Sequence, residues 1–314
     1  MRILFAGTPD IAVPTLRALS EQFDVGAVLT NPDKPGTRGK ALLYSPVKEE
    51  AIRLGLPVLQ PERLRSEARE MVSSYGCDTL VCFAYGKLFG PRFLSLFPGE
   101  RLNIHPSLLP LLRGPSPIQG AILNQYTHTG ISIQRLASEM DCGDLLCSLS
   151  FALEGDETTQ SLTDRVRALA PQLAVQGLKE LEEGRGMFRP QEGESSYTTL
   201  IERPMALIDW KRTAKEIHAL VRGMNPWPKA YTTCGGETLF ITSVEGTLRD
   251  AGSDPVPDGV AVGTVVTKQK GKGIAIATGD GLLWVDRLQL DKRKEMDWAS
   301  FLPGNRTFLT TRLG

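Results

Sequence analysis

The chain has 314 residues, 41% of them hydrophobic and 23% charged, which suits two ordinary globular domains and argues against extended disorder. Its 36 basic and 36 acidic residues cancel, so no global positive field marks a nucleic-acid binder, although a local patch would be enough. Three histidines and five cysteines without a CxxC pair leave few ligands for a metal, and free, buried thiols in a reducing compartment are expected.

Residues 2–7 (RILFAG) read as a short buried strand rather than a signal sequence. No apolar run approaches the ~20 residues needed to span a bilayer. A soluble, cytoplasmic, monomeric protein without a membrane partner is therefore the expectation. Gly7-Thr8-Pro9-Asp10 follows as a turn, with Asp10 as the cap of the next helix. It is not G-x-G-x-x-G, so a nicotinamide cofactor is unsupported. The other reading is a substrate-side loop at the carboxyl end of a strand, where open α/β sheets bind ligands.

Residues 11–19 have helical spacing, and 24–30 (DVGAVLT) form a second apolar run. The loop 31–40 (NPDKPGTRGK) carries Lys34, Arg38 and Lys40. It is either a solvated loop or a basic flap over a polyanionic substrate. A helix ends at 51–54, a short strand follows at 58–60, and a helix at 62–74 leads into the apolar run 79–85 (TLVCFAY). Further strands are expected at 101–105 and 130–136. Such alternation predicts an α/β fold with a doubly wound, mostly parallel sheet.

Residues 102–119 (LNIHPSLLPLLRGPSPIQ) place Asn103 and His105 two apart at a strand end, so both side chains face the same way. A buried strand has no structural use for that pair at its carboxyl edge. Pro106, Pro110, Pro115 and Pro117 then enforce a stiff, irregular loop around Arg113-Gly114. A lone histidine is more often structural, but this location favours catalysis. The segment 140–145 (MDCGDL) sets Asp141 and Asp144 around Gly143. It is either an Asp-Gly turn or the source of a carboxylate that orients His105.

Residues 159–183 read as a long helix, and 184–204 have the polar, Gly/Pro/Ser-rich texture of a linker. A helix at 214–223 precedes five short β-like pieces at 230–233, 238–245, 263–268, 273–278 and 281–290. That count and spacing predict a small, mostly antiparallel barrel.

These segments together resemble the folate-dependent formyltransferases. The resemblance runs nearly end to end, through FAGTPDIAVPTL, NPDKPGTRGK, SPVK, the Asn103-Ile104-His105 stretch with SLLP, RGPSPIQ, DCGD, IDW, RGMNPWPKAY and FLPGNR. NPDKPGTRGK together with NPWP is similar to the members that act on tRNA. The resemblance implies a Rossmann-like formyltransferase domain at 1–188, a linker at 189–206 and an OB-like barrel at 207–314 that helps hold tRNA. The implied reaction carries the formyl group of 10-formyltetrahydrofolate to the α-amine of initiator methionyl-tRNA, giving N-formylmethionyl-tRNA for translation initiation, with no metal.

The same resemblance places the catalytic group at Asn103, His105 and the second acid of DCGD, Asp144, with Asp141 secondary. Ser107, Leu108, Leu109 and Pro110 match the folate-contacting segment, and Phe83, Tyr85 and Gly86 would border the pterin. Arg38 matches a position that reaches the acceptor end of the tRNA, with Lys34 and Lys40 in the same basic loop. In one departure, Arg203 is the only basic residue before IDW, where relatives usually have lysines. Asn103 would donate an N–H to the developing oxyanion. His105 would either stabilise that oxyanion when protonated or shuttle the amine proton when neutral. The rival readings are formyl transfer to a small amine (glycinamide ribonucleotide or an amino-sugar nucleotide), hydrolysis of the formyl carrier, and a catalytically inert tRNA-binding protein.

Overall fold

The computed structural model describes residues 1–36 and 42–314. They divide into two compact units, one made of residues 1–117, 130–150 and 163–198, the other of 118–129, 151–162 and 199–314. Among the described residues no helix is long and apolar enough to cross a membrane.

The first sheet has seven strands: β1 (Arg2–Gly7), β2 (Asp24–Leu29), β3 (Val58–Leu59), β4 (Thr79–Phe83), β5 (Arg101–His105), β6 (His128–Arg135) and β7 (Leu145–Ala152). Their order is β3-β2-β1-β4-β5-β6-β7. The pairs from β3 through β5 are parallel. Then β6 runs antiparallel to β5, with Asn103 opposite Gln134 and His105 opposite Ser132. The sheet is thus mixed: parallel from β3 through β5, as the mostly parallel expectation has it, and antiparallel where β6 joins β5. An apolar run reveals a buried strand but not its direction.

The core of the unit gathers Leu4, Ala6, Leu29, Leu80, Phe93 and Phe97, all almost fully buried. Helices α1 (Val13–Gln22), α2 (Pro46–Arg53) and α3 (Ser66–Ser73) match the helical spacing. Ser45 caps α2 by accepting from the Lys48 N–H at 3.1 Å, with Pro46 at the first helical position. Asp10 does not cap a helix. Its carboxylate pairs with the Arg167 guanidinium instead.

Strand β7 went unnoticed in the sequence. Its residues alternate between half-buried and exposed, with only Leu146 fully buried, so no continuous apolar run marks it. It ends the sheet order.

The second sheet holds β8 (Ala230–Cys234), β9 (Glu237–Val244), β10 (Val265–Gln269), β11 (Gly273–Ala277) and β12 (Leu282–Leu290), with the short β13 (Met296–Asp297) on β12. All its pairs are antiparallel, in the order β10-β11-β12-β9-β8. The five predicted pieces are all present, but the sheet does not close into a barrel. Its outer strands instead take single bridges, Leu207 to Tyr231 on β8 and Arg312 to Thr264 just before β10. Such bridges satisfy part of an edge that a barrel would eliminate.

Helix α4 (Ala214–Gly223) packs Ile217, Leu220 and Val221 into one core with Ile241, Leu283 and Leu288. It begins in a reciprocal cap: Thr213 Oγ1 accepts from the Glu216 N–H at 3.2 Å, and Glu216 Oε2 accepts from the Thr213 N–H at 2.9 Å. Thr213→Ala is expected to cost about 1 kcal/mol. The check is urea denaturation followed by tryptophan fluorescence.

Candidate active site

The site grows from the carboxyl end of β5, within the first unit. Asn103 and His105 lie two apart on that strand, flanked by Cys82 on β4 and by Gln134 and Ser132 on β6. The next turn is fixed from below. Ser132 Oγ donates to the Ser107 carbonyl at 2.8 Å and accepts from the Leu109 N–H at 3.2 Å, while Ser107 Oγ donates to the Leu111 carbonyl at 2.6 Å. The Leu109–Pro110 peptide is cis.

Leu112, at φ +59°, turns its carbonyl onto His105, 2.9 Å from Nε2. A carbonyl only accepts, so Nε2 carries the proton of the neutral ring. Nδ1 then faces Asp141, whose Oδ2 is 3.6 Å away. Burial pushes the His105 pKa down, opposed by the Asp141 carboxylate and the Leu112 carbonyl. The ring therefore rests neutral, with a lone pair at Nδ1, which favours proton transfer over a permanent positive charge.

Asp141 is the carboxylate at this centre. Its Oδ1 accepts from Asn103 Nδ2 at 3.2 Å and Gln134 Nε2 at 2.8 Å, and its Oδ2 accepts from the Gly114 N–H at 2.8 Å. Asp144, the sequence choice, gives its backbone carbonyl to the Arg135 N–H at 2.9 Å, and its carboxylate acts electrostatically on the Arg135 guanidinium. Among the described residues no hydrogen bond or ion pair joins its side chain to Asn103 or His105. The carboxylate placed beside Asn103 and His105 is therefore that of Asp141, where the sequence pointed to Asp144.

Backbone geometry explains the correction. Asp141 sits at φ +56°, and a Cβ added to Gly143 would lie 1.8 Å from the Arg135 carbonyl. Only glycine permits that approach, and it folds the turn back so that Asp141 meets the end of β5. Asp144 is then committed to the ladder leading into β7.

The remaining expected residues fall into three groups. Ser107, Leu109, Pro110, Phe83 and Tyr85 are buried, and Leu108 is partly exposed beside Gly130. The Tyr85 ring stacks on Phe89 at 5.3 Å inside the core, so it presents no face to a ligand. What the 83–86 segment exposes is Ala84 (φ +53°) and Gly86 (φ +82°). Lys34 is exposed and exchanges backbone hydrogen bonds with Leu43. Arg38 and Lys40 lie outside the described residues.

Asn31 was not singled out from the sequence. Its Nδ2 donates to the Tyr85 carbonyl at 2.8 Å and to Thr8 Oγ1 at 3.0 Å, joining the ends of β1, β2 and β4. Its Oδ1 is buried with no hydrogen-bond partner among the described residues. The only hint was its position just past the run 24–30, at the carboxyl end of a strand.

No group of three His, Cys, Asp or Glu among the described residues could hold a metal ion. The Cys82 thiol, closest to the site, is pushed by burial up to about 12 and cannot act as a thiolate nucleophile.

The amino-terminal residues 1–178 match the formyl transferase family, and residues 200–306 match the formyl transferase carboxyl-terminal domain. A methionyl-tRNA formyltransferase of Treponema denticola is 39% identical over 98% of both chains. One from Lachnospira eligens is 39% identical over the whole of both. The chain belongs to the methionyl-tRNA formyltransferase family. Solved structures share the fold at lower identity. The sugar 3N-formyl transferase WlaRD superposes with a TM-score of 0.64 at 15% identity, over 94% of this chain and 99% of its own. HypX of Aquifex aeolicus, solved in complex with tetrahydrofolic acid, gives 0.61 at 17% identity, over 96% of this chain and 47% of its own.

Proposed function

We propose that this chain transfers the formyl group of 10-formyltetrahydrofolate to the α-amine of initiator methionyl-tRNA, yielding N-formylmethionyl-tRNA in the cytoplasm, and does so as a monomer. The full-length identity to methionyl-tRNA formyltransferases carries the reading. The cluster of Asn103, His105 and Asp141 supplies chemistry that fits it. The bond from the carrier nitrogen to the formyl carbon breaks, and a bond from the amine nitrogen to that carbon forms. The amine loses one proton, and the carrier nitrogen gains one.

Asn103 supplies an amide N–H for the oxyanion that develops on the formyl oxygen. His105, neutral at rest, takes the amine proton and hands it on, and Asp141 supports the charge the ring acquires. Folate fits the edge of this site. The Asn31 Oδ1 acceptor, without a partner among the described residues and near the exposed residues 84 and 86, suits the N–H donors of a pterin. Ser107–Pro110 would border it through backbone and the part-exposed Leu108.

Residues 1–188 would then hold the chemistry, and 207–314, as an OB-like but open sheet, would help hold the tRNA. Lys268 on β10, and Lys270, Lys292, Arg293 and Lys294 in the connections, are exposed and can meet phosphates. Lys34, Arg38 and Lys40 would meet the acceptor end.

The test offers 10-formyltetrahydrofolate with methionyl-tRNA, with glycinamide ribonucleotide and with an amino-sugar nucleotide in separate reactions. Formylation of the methionyl ester alone is expected. Transfer only to a small amine would move the reading to that class, and tight tRNA binding without transfer would leave a binding protein.

A further inference from the structure

Gln191 lies in the polar stretch that the sequence reads as a linker, yet its side chain reaches the acidic turn. Its Nε2 donates to the carbonyls of Asp141 at 2.9 Å and Gly143 at 2.8 Å. Its Oε1 accepts from both Nε and Nη2 of Arg113, at 3.1 and 2.6 Å. A guanidinium only donates and a carbonyl only accepts, so the amide has one possible orientation. Two carbonyls of a tight turn point to the same place, and the NH₂ group offsets their mutual repulsion.

The surrounding segment is anchored as firmly. Arg189 and Leu145 exchange two backbone hydrogen bonds at 2.8 and 2.9 Å, and Thr198 donates its N–H to the Arg113 carbonyl at 2.7 Å. Arg113 also precedes Gly114, whose N–H holds the Asp141 carboxylate directly. One side chain therefore ties together both segments that grip Asp141.

We propose that Gln191, braced by Arg113, is a positioning residue for formyl transfer: it clamps the 141–143 turn so that the Asp141 carboxylate stays aimed at Asn103 and His105. The inference rests on the reading that Asn103, His105 and Asp141 carry the chemistry. It makes residues 189–198 part of the active-site scaffold rather than a passive connection.

Gln191→Glu tests it with almost no change of shape. The new carboxylate still accepts from Arg113, so a residue that merely satisfied Arg113 would be replaced without loss. It cannot donate to the two turn carbonyls, however, and repels them. The expected result is a 10- to 100-fold fall in kcat, with KM for methionyl-tRNA and for the folate each within about twofold, the pattern of a misplaced catalytic group. The titration of the His105 ring should also shift by NMR, because the Asp141 charge that supports its protonation has moved; only three histidines need assignment.

A Gln191→Glu enzyme with kcat within twofold of the parent overturns the proposal. So does a loss of activity that matches the unfolded fraction in a melting curve, with His105 titrating as before. Asp141→Asn measured alongside separates the two levels. If that variant keeps full kcat, the catalytic reading itself fails. If it is inactive while Gln191→Glu is normal, only the clamp fails.

Discussion

Asp141→Asn is expected to lower kcat by roughly 10²- to 10³-fold, whereas Asp144→Asn should leave kcat within about threefold. Asp141 accepts on both oxygens, from Asn103 and Gln134 on one and from the Gly114 N–H on the other, with His105 facing the latter. An asparagine has one acceptor and one donor. Whichever way it turns, its NH₂ meets an N–H that needed an acceptor, and Asn103 or Gly114 is displaced. The negative charge that lets His105 accept a proton is lost as well. The Asp144 carboxylate faces Arg135 electrostatically and, among the described residues, bonds to neither Asn103 nor His105, so its substitution should disturb neither. Single-turnover formylation of methionyl-tRNA measures the step directly. An Asp144→Asn enzyme as impaired as Asp141→Asn would return the role to Asp144.

Much of this centre can be read in the sequence, and the reason is local. Asn103 and His105 stand out because a buried strand has no use for polar side chains at its end, and period-two geometry puts them together. The choice between Asp141 and Asp144 is not local. D-C-G-D offers an acid on each side of the glycine. The outcome depends on the positive φ at Asp141 and on how near Gly143 comes to the carbonyl of Arg135, eight residues earlier. Gln191 is hidden for a similar reason. A stretch rich in Gly, Glu and Ser looks like solvated chain unless one knows that its amide faces two carbonyls and a guanidinium.

The folds show the same division. The buried parallel strands β1, β2 and β4 are continuous apolar runs and were read to within a residue or two. The half-exposed β7 carries no such run. The five pieces of the second sheet were also legible, because each is short and bounded by turn residues. Whether such a sheet closes depends on pairing between strands distant in sequence, here β8 and β10, and no single segment records it.

Acid should destabilise the second unit through His218, by about 2 kcal/mol between pH 7 and pH 5 at roughly 1.4 kcal/mol per pKa unit. His218 lies on α4, fully buried. Its Nε2 donates to the Gly246 carbonyl at 3.3 Å, and its Nδ1 accepts from Arg222 Nε at 2.9 Å. Arg222, itself buried, donates on to the Glu157 carbonyl at 2.7 Å. Protonating the ring would place a second positive charge against that guanidinium, with the more distant Asp250 carboxylate the main acidic counterweight. Burial, and then Arg222, bring the His218 pKa down to about 4.

The folded pKa thus lies below the ordinary value near 6.5, so between the two the unfolded chain binds more protons than the folded one. Stability from this group is complete above about 6.5, declines as pH falls, and levels off below about 4 with a loss of about 3 kcal/mol. The four tryptophans, Trp210, Trp227, Trp284 and Trp298, all lie in the second unit, so their fluorescence in urea reports that unit's unfolding. Carboxylates held low elsewhere also make the protein acid-sensitive, which makes the comparison with His218→Gln decisive. Its neutral amide cannot gain a proton, so its stability should fall less between pH 7 and pH 5 by about that 2 kcal/mol. Equal slopes for the two proteins would mean that His218 accepts its proton at no cost, against the geometry of a buried imidazole capped by an arginine.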